Sequence, residues 1–473
     1  MKPSARRGLA AAALLTIAAT LTTPATAAPP SPSTGLTGET AAPVTAGLAG
    51  ESGAPIPSSA TGVAASQVPT GRPAGGLPVG GPAPTQPSTS QSLADGLPIG
   101  DSDLVETRSS ESLGRGVTLT RIVRGTEPAP ADQINTTPRG PWVVSVLTID
   151  PRRARGQLQA TYGADLARVE KTSELVRGAG AVAGVNASFF TFTANPTYPG
   201  EQVGLGIFDG KLLSEPLSDP AEANLLIDAK SNKVLIGHLS WTGKLRNRWT
   251  KAELPLEFVN HPPVVPVGEA PGDVVLFTPE FGAATPSGAG VEVVFDRRGC
   301  VVRTANTRGT TLTKSQFAVQ ATGPDTNALL ALTTRGCVDR QLAVADQRGR
   351  KVQLHKGLYG VTGRYQLTSN GVVVVPPGSG SFFDRNPRTI AGTTRDGKIV
   401  LATIDGRQTT SVGTTMTETA AVAKALGLHD SINLDGGGST AMARADGTLV
   451  NHPSGTNGAE RAVGDAIVFV PHH

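Results

Sequence analysis

No Phe, Trp or Tyr precedes Trp142 in this chain of 473 residues. A segment without aromatic side chains, and rich in Pro, Gly, Ser, Thr and Ala, buries too little apolar surface to offset the entropy of ordering it. Residues 29–115 fit that description, with Pro29-Pro30, Gly75-Gly76 and Gly80-Gly81-Pro82 and no periodic apolar pattern. They are expected to form a disordered linker that holds a folded body away from a surface such as a cell wall, or a propeptide-like arm. Ahead of the linker, Lys2, Arg6 and Arg7 precede an apolar run from Leu9 to Leu21 and a small-residue site at Ala25-Thr26-Ala27. That is the pattern of a secretory signal peptide over residues 1–28, with the Sec and Tat routes both open. No later run of about 18 apolar residues follows, so the expectation is a secreted, extracellular protein without a stable membrane anchor, in contact with the cell wall.

The body, residues 116–473, reads as one mixed α+β domain rich in strands. Val117–Ile122 and Trp142–Asp150 have strand composition, and Asp165–Gly178 has helical spacing that ends on a glycine. Ala181–Val185 is a short apolar strand that delivers Asn186. From 203 to 320 the pattern is mainly of strands and turns, and 313–380 continues in strand-like pieces, with no internal repeat and no second domain. Cys300 and Cys337 are the two cysteines, and in an oxidising compartment they are expected to form one disulfide. His261, beside Pro262 and Pro263, reads as structural rather than as an acid or base.

The C-terminal part is denser in signals. Lys398–Ile404 is a strand that ends in Asp405-Gly406-Arg407. Thr415-Met416-Thr417-Glu418 has the form of a capping box and opens a helix that runs to Gly427. The next strand ends in Asn433-Leu434-Asp435-Gly436-Gly437-Gly438-Ser439-Thr440. In this strand–helix–strand unit both Asp405 and Asp435 stand at the C-terminal ends of strands, and a crossover would open both carboxylates on one sheet edge. Consecutive glycines let a backbone approach an anionic or sugar ligand closely. The formal net charge of +4 is not concentrated in a basic run, which argues against a nucleic-acid partner.

These pieces, in their order, resemble the phosphodiester glycosidase family. The matching stretches are Val185–Phe190, Asn386-Pro387-Arg388-Thr389, Asp405-Gly406-Arg407-Gln408, Asn433–Thr440, Asn451-His452-Pro453-Ser454 and Glu460-Arg461. Where the family usually has two glycines after the first Asn, this chain has Ala187 and Ser188. The resemblance implies cleavage of a sugar C1–O–phosphate bond in a glycosyl-1-phosphodiester, such as one of N-acetylglucosamine. On that reading Asp435 is the nucleophile or base, Glu460 is a second carboxylate, and Asp405 is a third that is better suited to hold an arginine. Arg388, Arg407 and Arg461 suit phosphate oxygens through their guanidinium forks. The amides of Gly436, Gly437 and Gly438, together with Ser439, line the same turn, and Asn186 and Asn433 suit sugar hydroxyls.

Two other readings compete. Asp405, Asp435 and Asn433 could supply oxygen ligands to a calcium or magnesium ion in a phosphodiesterase, although the glycosidase reading requires no cofactor. Alternatively, the chain is a non-catalytic module for cell-wall sugar or exopolysaccharide. The oligomeric state, the sugar and the anomeric outcome are not fixed by these residues.

Overall fold

In a computed structural model of the chain, residues 96–472 are described, apart from 268, 269 and 335. The signal peptide and the linker up to residue 95 lie outside the described residues. The largest sheet has eight strands, in the order 106–114, 117–124, 142–149, 399–404, 388–394, 428–433, 366–369 and 372–373. Every neighbouring pair in it is antiparallel. Strands 399–404 and 428–433 both run against strand 388–394, which lies between them, so they run parallel to one another. Their C-terminal ends therefore share one edge, as the strand–helix–strand reading anticipated.

The helix between them, Met416–Ala425, opens with the expected capping box. Thr415 Oγ1 accepts from the Glu418 amide at 3.1 Å, and Glu418 Oε2 accepts from the Thr415 amide at 2.9 Å. Its buried face, Met416, Ala420, Val422 and Ala423, packs with Trp142, Ile390, Val400 and Ala402 on one side of the sheet. On the other side lie a four-stranded sheet that includes 183–186 and 465–471, and a five-stranded sheet that includes 206–208, 222–228 and 358–364. Leu147, Val185, Leu225, Val361, Leu401 and Ile467 share that second core. Residues 239–352 build two further sheets around a separate cluster that includes Leu245, Val293, Phe295 and Leu329. Cys300 and Cys337 are joined by a disulfide there.

Three expectations need correction. The folded body begins before residue 116: Leu97 and Ile99 are buried in the Trp142 cluster, and strand Glu106–Gly114 pairs with Val117–Arg124. Arg124 holds this segment by donating to the Ile99 carbonyl at 2.7 Å and the Asp101 carbonyl at 2.8 Å. The helix expected over Asp165–Gly178 is limited to Thr172–Gly178, because the amides of Leu166 and Ala167 are claimed by the carbonyls of Glu280 and Phe281. The stretch after 313 is not all strand, since Asp325–Thr333 is a helix that buries Leu329, Leu332 and Thr333. Among the described residues no helix is long and apolar enough to cross a membrane.

Candidate active site

The strand Leu428–Asn433 leads into a turn whose backbone is held from two sides. The Leu434 amide donates to the Thr389 carbonyl and the Asp435 amide to the Ala187 carbonyl, both at 2.9 Å. Asn186 Nδ2 donates to the Asp435 carbonyl at 2.7 Å. Asp435 is thus fixed to strands of two different sheets, while its side chain stays half-buried at the surface. Its Oδ1 accepts the Gly436 amide at 2.9 Å.

The three glycines that follow have distinct steric reasons. A Cβ on Gly436 would stand 2.8 Å from the Pro387 carbonyl oxygen. Gly437 has φ +57°, a region that L residues with bulk avoid, and a Cβ there would lie 3.3 Å from Arg407 Nη2. A Cβ on Gly438 would lie 3.1 Å from the guanidinium carbon of Arg461. The missing side chains therefore make room for two guanidinium groups against one turn.

Each arginine is aimed by its own contacts. Arg407 is exposed, and its Nη2 donates to Asn386 Oδ1 at 2.7 Å. Arg461 is half-buried, and its Nη2 donates to Ser439 Oγ at 2.7 Å. The Arg461 guanidinium also lies 4.8 Å from the ring centroid of Phe192. Ser439 is fully buried, so it serves Arg461 rather than a ligand. The Gly436 and Gly437 amides are likewise engaged within the protein, with Asp435 Oδ1 and the Pro387 carbonyl.

Other candidates have structural duties instead. Arg388 is 2% exposed, and it donates to the carbonyls of Thr414, Phe382 and Asp384 at 3.2, 2.8 and 2.8 Å. Burial, with a smaller push from the Arg407 charge, lowers its pKa to about 10. It is a brace for the 382–388 loop, not a phosphate contact. Asp405 is also buried, and accepts Asn451 Nδ2 at 3.0 Å and the His452 amide at 3.1 Å. Burial raises its pKa to about 6 against the pull of those two hydrogen bonds. Glu460 accepts the Ser173 amide at 2.8 Å and the Ser173 hydroxyl at 2.6 Å, which ties it to the helix Thr172–Gly178.

The two asparagines are buried as well. Asn186 has no exposed surface, and its Oδ1 accepts Thr389 Oγ1 at 2.7 Å and the Ala441 amide at 3.1 Å. Asn433 is 1% exposed at the end of its strand. Neither offers its side chain to a sugar. Nor do Asp405, Asp435 and Asn433 make the cation cage suggested above, because both Asp405 oxygens face N–H donors. Among the described residues no cluster of three or more His, Cys, Asp or Glu is placed to hold a metal ion.

One carboxylate behind the turn was not singled out by its sequence. Asp465 is fully buried and accepts the Ser188 amide at 2.6 Å, Ser188 Oγ at 2.7 Å and Gln202 Nε2 at 2.6 Å. Burial raises its pKa to about 6, opposed by those donors and reinforced by the nearby charge of Asp435. Gly464-Asp465 reads as the start of the last strand, which hides its role. Ser188 is what receives this carboxylate. Phe192 also frames the site and carries no local motif of its own, while Asn386, from the Asn386–Thr389 motif, holds Arg407.

The model of the phosphodiester glycosidase family matches residues 289–470. Among solved structures, an exported protein of Burkholderia pseudomallei is 25% identical, with 80% of this chain and 99% of that chain covered at a TM-score of 0.69. A hypothetical protein from Synechocystis is 17% identical over 78% of this chain and 68% of that one, at a TM-score of 0.58. The catalytic domain of zebrafish N-acetylglucosamine-1-phosphodiester alpha-N-acetylglucosaminidase is 13% identical over 78% and 88%, at a TM-score of 0.37. No curated protein sequence matches the chain. Arg407, the Asp435 turn and Arg461 all fall within residues 289–470, the stretch of the chain that matches the phosphodiester glycosidase family model.

Proposed function

We propose that the protein is a secreted hydrolase that cleaves the C1–O bond between a sugar and phosphate in a glycosyl-1-phosphodiester. The observation that carries this reading is a single half-buried carboxylate, Asp435, on a glycine turn against which two guanidinium groups lie. Arg407 and Arg461 suit the phosphate oxygens. Asp435 suits the anomeric carbon, either by attacking it or by taking a proton from an attacking water. The C1–O electron pair leaves with the phosphate oxygen as a phosphomonoester, and water supplies the new hydroxyl at C1. Such a leaving group needs little protonation, so the reaction runs without a second carboxylate. That agrees with Asp405 and Glu460 being occupied by Asn451, His452 and Ser173. A sugar phosphodiester of the cell wall or of an exopolysaccharide is the proposed substrate. Export is supported by the N-terminal sequence and by the likeness to an exported protein.

The test is turnover of the mature protein on a panel of sugar-1-phosphodiesters, with the anomeric proton followed by NMR. Wild type should release the phosphomonoester, and Asp435→Asn should lose at least a thousandfold in kcat while its melting temperature holds. If no member of the panel turns over, the non-catalytic sugar-binding reading replaces this one. Turnover that disappears with a chelator and returns with magnesium or calcium would favour the metal-dependent phosphodiesterase.

A further inference from the structure

Phe192 combines features that a side chain on a loop rarely has together. It is 39% exposed despite its large apolar ring, and its backbone has φ +46°. Bulky residues avoid that region, and where they occupy it the surrounding structure must hold them there. Here the Phe192 amide donates to the Pro199 carbonyl at 3.0 Å, and the Thr191 amide to the Glu201 carbonyl at 2.9 Å. The base of this tongue is fixed in turn. Gln202 donates to Asp465, while Glu201 accepts Asn195 Nδ2 at 3.1 Å and pairs with His261. A strained, exposed aromatic ring is thus held in place with the Arg461 guanidinium over it, and that guanidinium itself rests on Gly438.

We propose that Phe192 is a stacking platform for the pyranose ring of the substrate, with the attached phosphate turned toward Arg461. This rests on the phosphodiester glycosidase reading above. A glycosyl phosphodiester carries a pyranose face of C–H bonds directly next to an anion. An aromatic ring with a guanidinium over one face, offering its other face to the sugar and the guanidinium edge to the anion, is the matching surface. The edge-on contact of Phe190 with Phe192, 5.8 Å between centroids at 72°, supports the ring from the side. The platform makes sugar recognition separable from phosphate recognition, because different side chains carry the two.

The test uses the mature protein, Phe192→Leu and Phe192→Trp, with methyl N-acetylglucosamine-1-phosphate diester as substrate and dimethyl phosphate as a sugar-free competitor. Phe192→Leu should raise KM for the diester about tenfold and leave inhibition by dimethyl phosphate within twofold. Phe192→Trp should restore KM, and its tryptophan emission should change on titration with N-acetylglucosamine 1-phosphate. An unchanged KM in Phe192→Leu would overturn the proposal. So would an equal loss for dimethyl phosphate, which would make the ring a mere support for Arg461. A loss that grows with the alkyl length of the aglycone would assign the ring to a lipid instead, and also overturn it. If the wild type turns over no diester, the reaction fails but the platform is still decided by the Phe192→Trp titration, where an unchanged emission sinks it.

Discussion

Asn186 Nδ2 donates to the Asp435 carbonyl at 2.7 Å, while Asn186 Oδ1 accepts from Thr389 and from the Ala441 amide. One buried amide therefore fixes the turn to strands 183–186 and 388–394 together. Asn186→Ala should orphan these groups and destabilise the fold by about 1–3 kcal/mol. Asn186→Asp keeps the two accepted bonds but sets an oxygen against the Asp435 carbonyl. Its loss of kcat should therefore exceed what its loss of stability explains. Denaturant unfolding alongside kcat decides this; two variants with the same ratio of kcat loss to stability loss would mean that Asn186 has no specific hold on Asp435.

Arg388 and Arg407, which share one role by their motifs, take different ones in the fold. Arg388→Met removes three buried bonds to carbonyls and should cost about 3 kcal/mol of stability, with affinity for dimethyl phosphate nearly unchanged in the surviving folded protein. Arg407→Met, at an exposed position, should change stability by no more than about 0.5 kcal/mol and weaken dimethyl phosphate about tenfold. Competitive inhibition and melting curves on the same preparations separate the two. The reverse pattern would return Arg388 to the phosphate.

The Asp405 carboxyl makes stability depend on pH in an unusual direction. Its folded pKa of about 6 lies above the ordinary value of 3.8, so the folded state holds the proton longer than the unfolded chain. Stability from this group is present below 3.8, falls as pH rises through the window up to about 6, and is level above it. Asp465 shifts the same way and adds to the slope. Asp405→Asn keeps an oxygen acceptor for Asn451 and carries no charge. Its melting temperature should fall less than that of wild type between pH 4 and 6. Parallel curves for the two proteins would show that the Asp405 charge is not what the fold pays for at neutral pH.

The shared edge of Asp405 and Asp435 was legible because each follows an apolar strand and the capping box marks the helix between them. The division of labour among the arginines was not. Arg388, Arg407 and Arg461 all stand beside turn residues in sequence. Only tertiary packing buries the first against the Thr414, Phe382 and Asp384 carbonyls and leaves the second exposed. Strand 106–114 was hidden for a different reason. It is an edge strand whose residues are nearly all exposed, so it has no apolar alternation, and its pairing comes from backbone bonds to 117–124. The helix Asp325–Thr333 buries only Leu329, Leu332 and Thr333, too little to set a period against the strands around it. Asp465 needed the fold outright, because its partners Ser188 and Gln202 lie far from it in sequence.

His261 reads as structural from its place beside two prolines, and its contacts define what it supports. Its ring sits between Glu201, at Nδ1, and Glu215, 3.2 Å from Nε2. Burial alone would lower its pKa, but the charges and hydrogen bonds of Glu215 and Glu201 override that and raise it to about 10. The sign follows: the imidazolium stabilises the fold fully below 6.5, and that contribution is lost as pH rises through about 10. His261→Gln leaves two buried carboxylates without a cation and should cost about 3 kcal/mol at pH 7. The gap between wild type and variant should narrow as pH approaches 10 and exceeds it. Because Glu201 also holds Asn195, the variant should speed hydrogen exchange at the Thr191 and Phe192 amides before it affects strand 428–433. Stability curves that stay a constant distance apart from pH 7 to 10.5 would show that His261 is neutral in the fold and that the tongue is held by Gln202 and Asp465 alone.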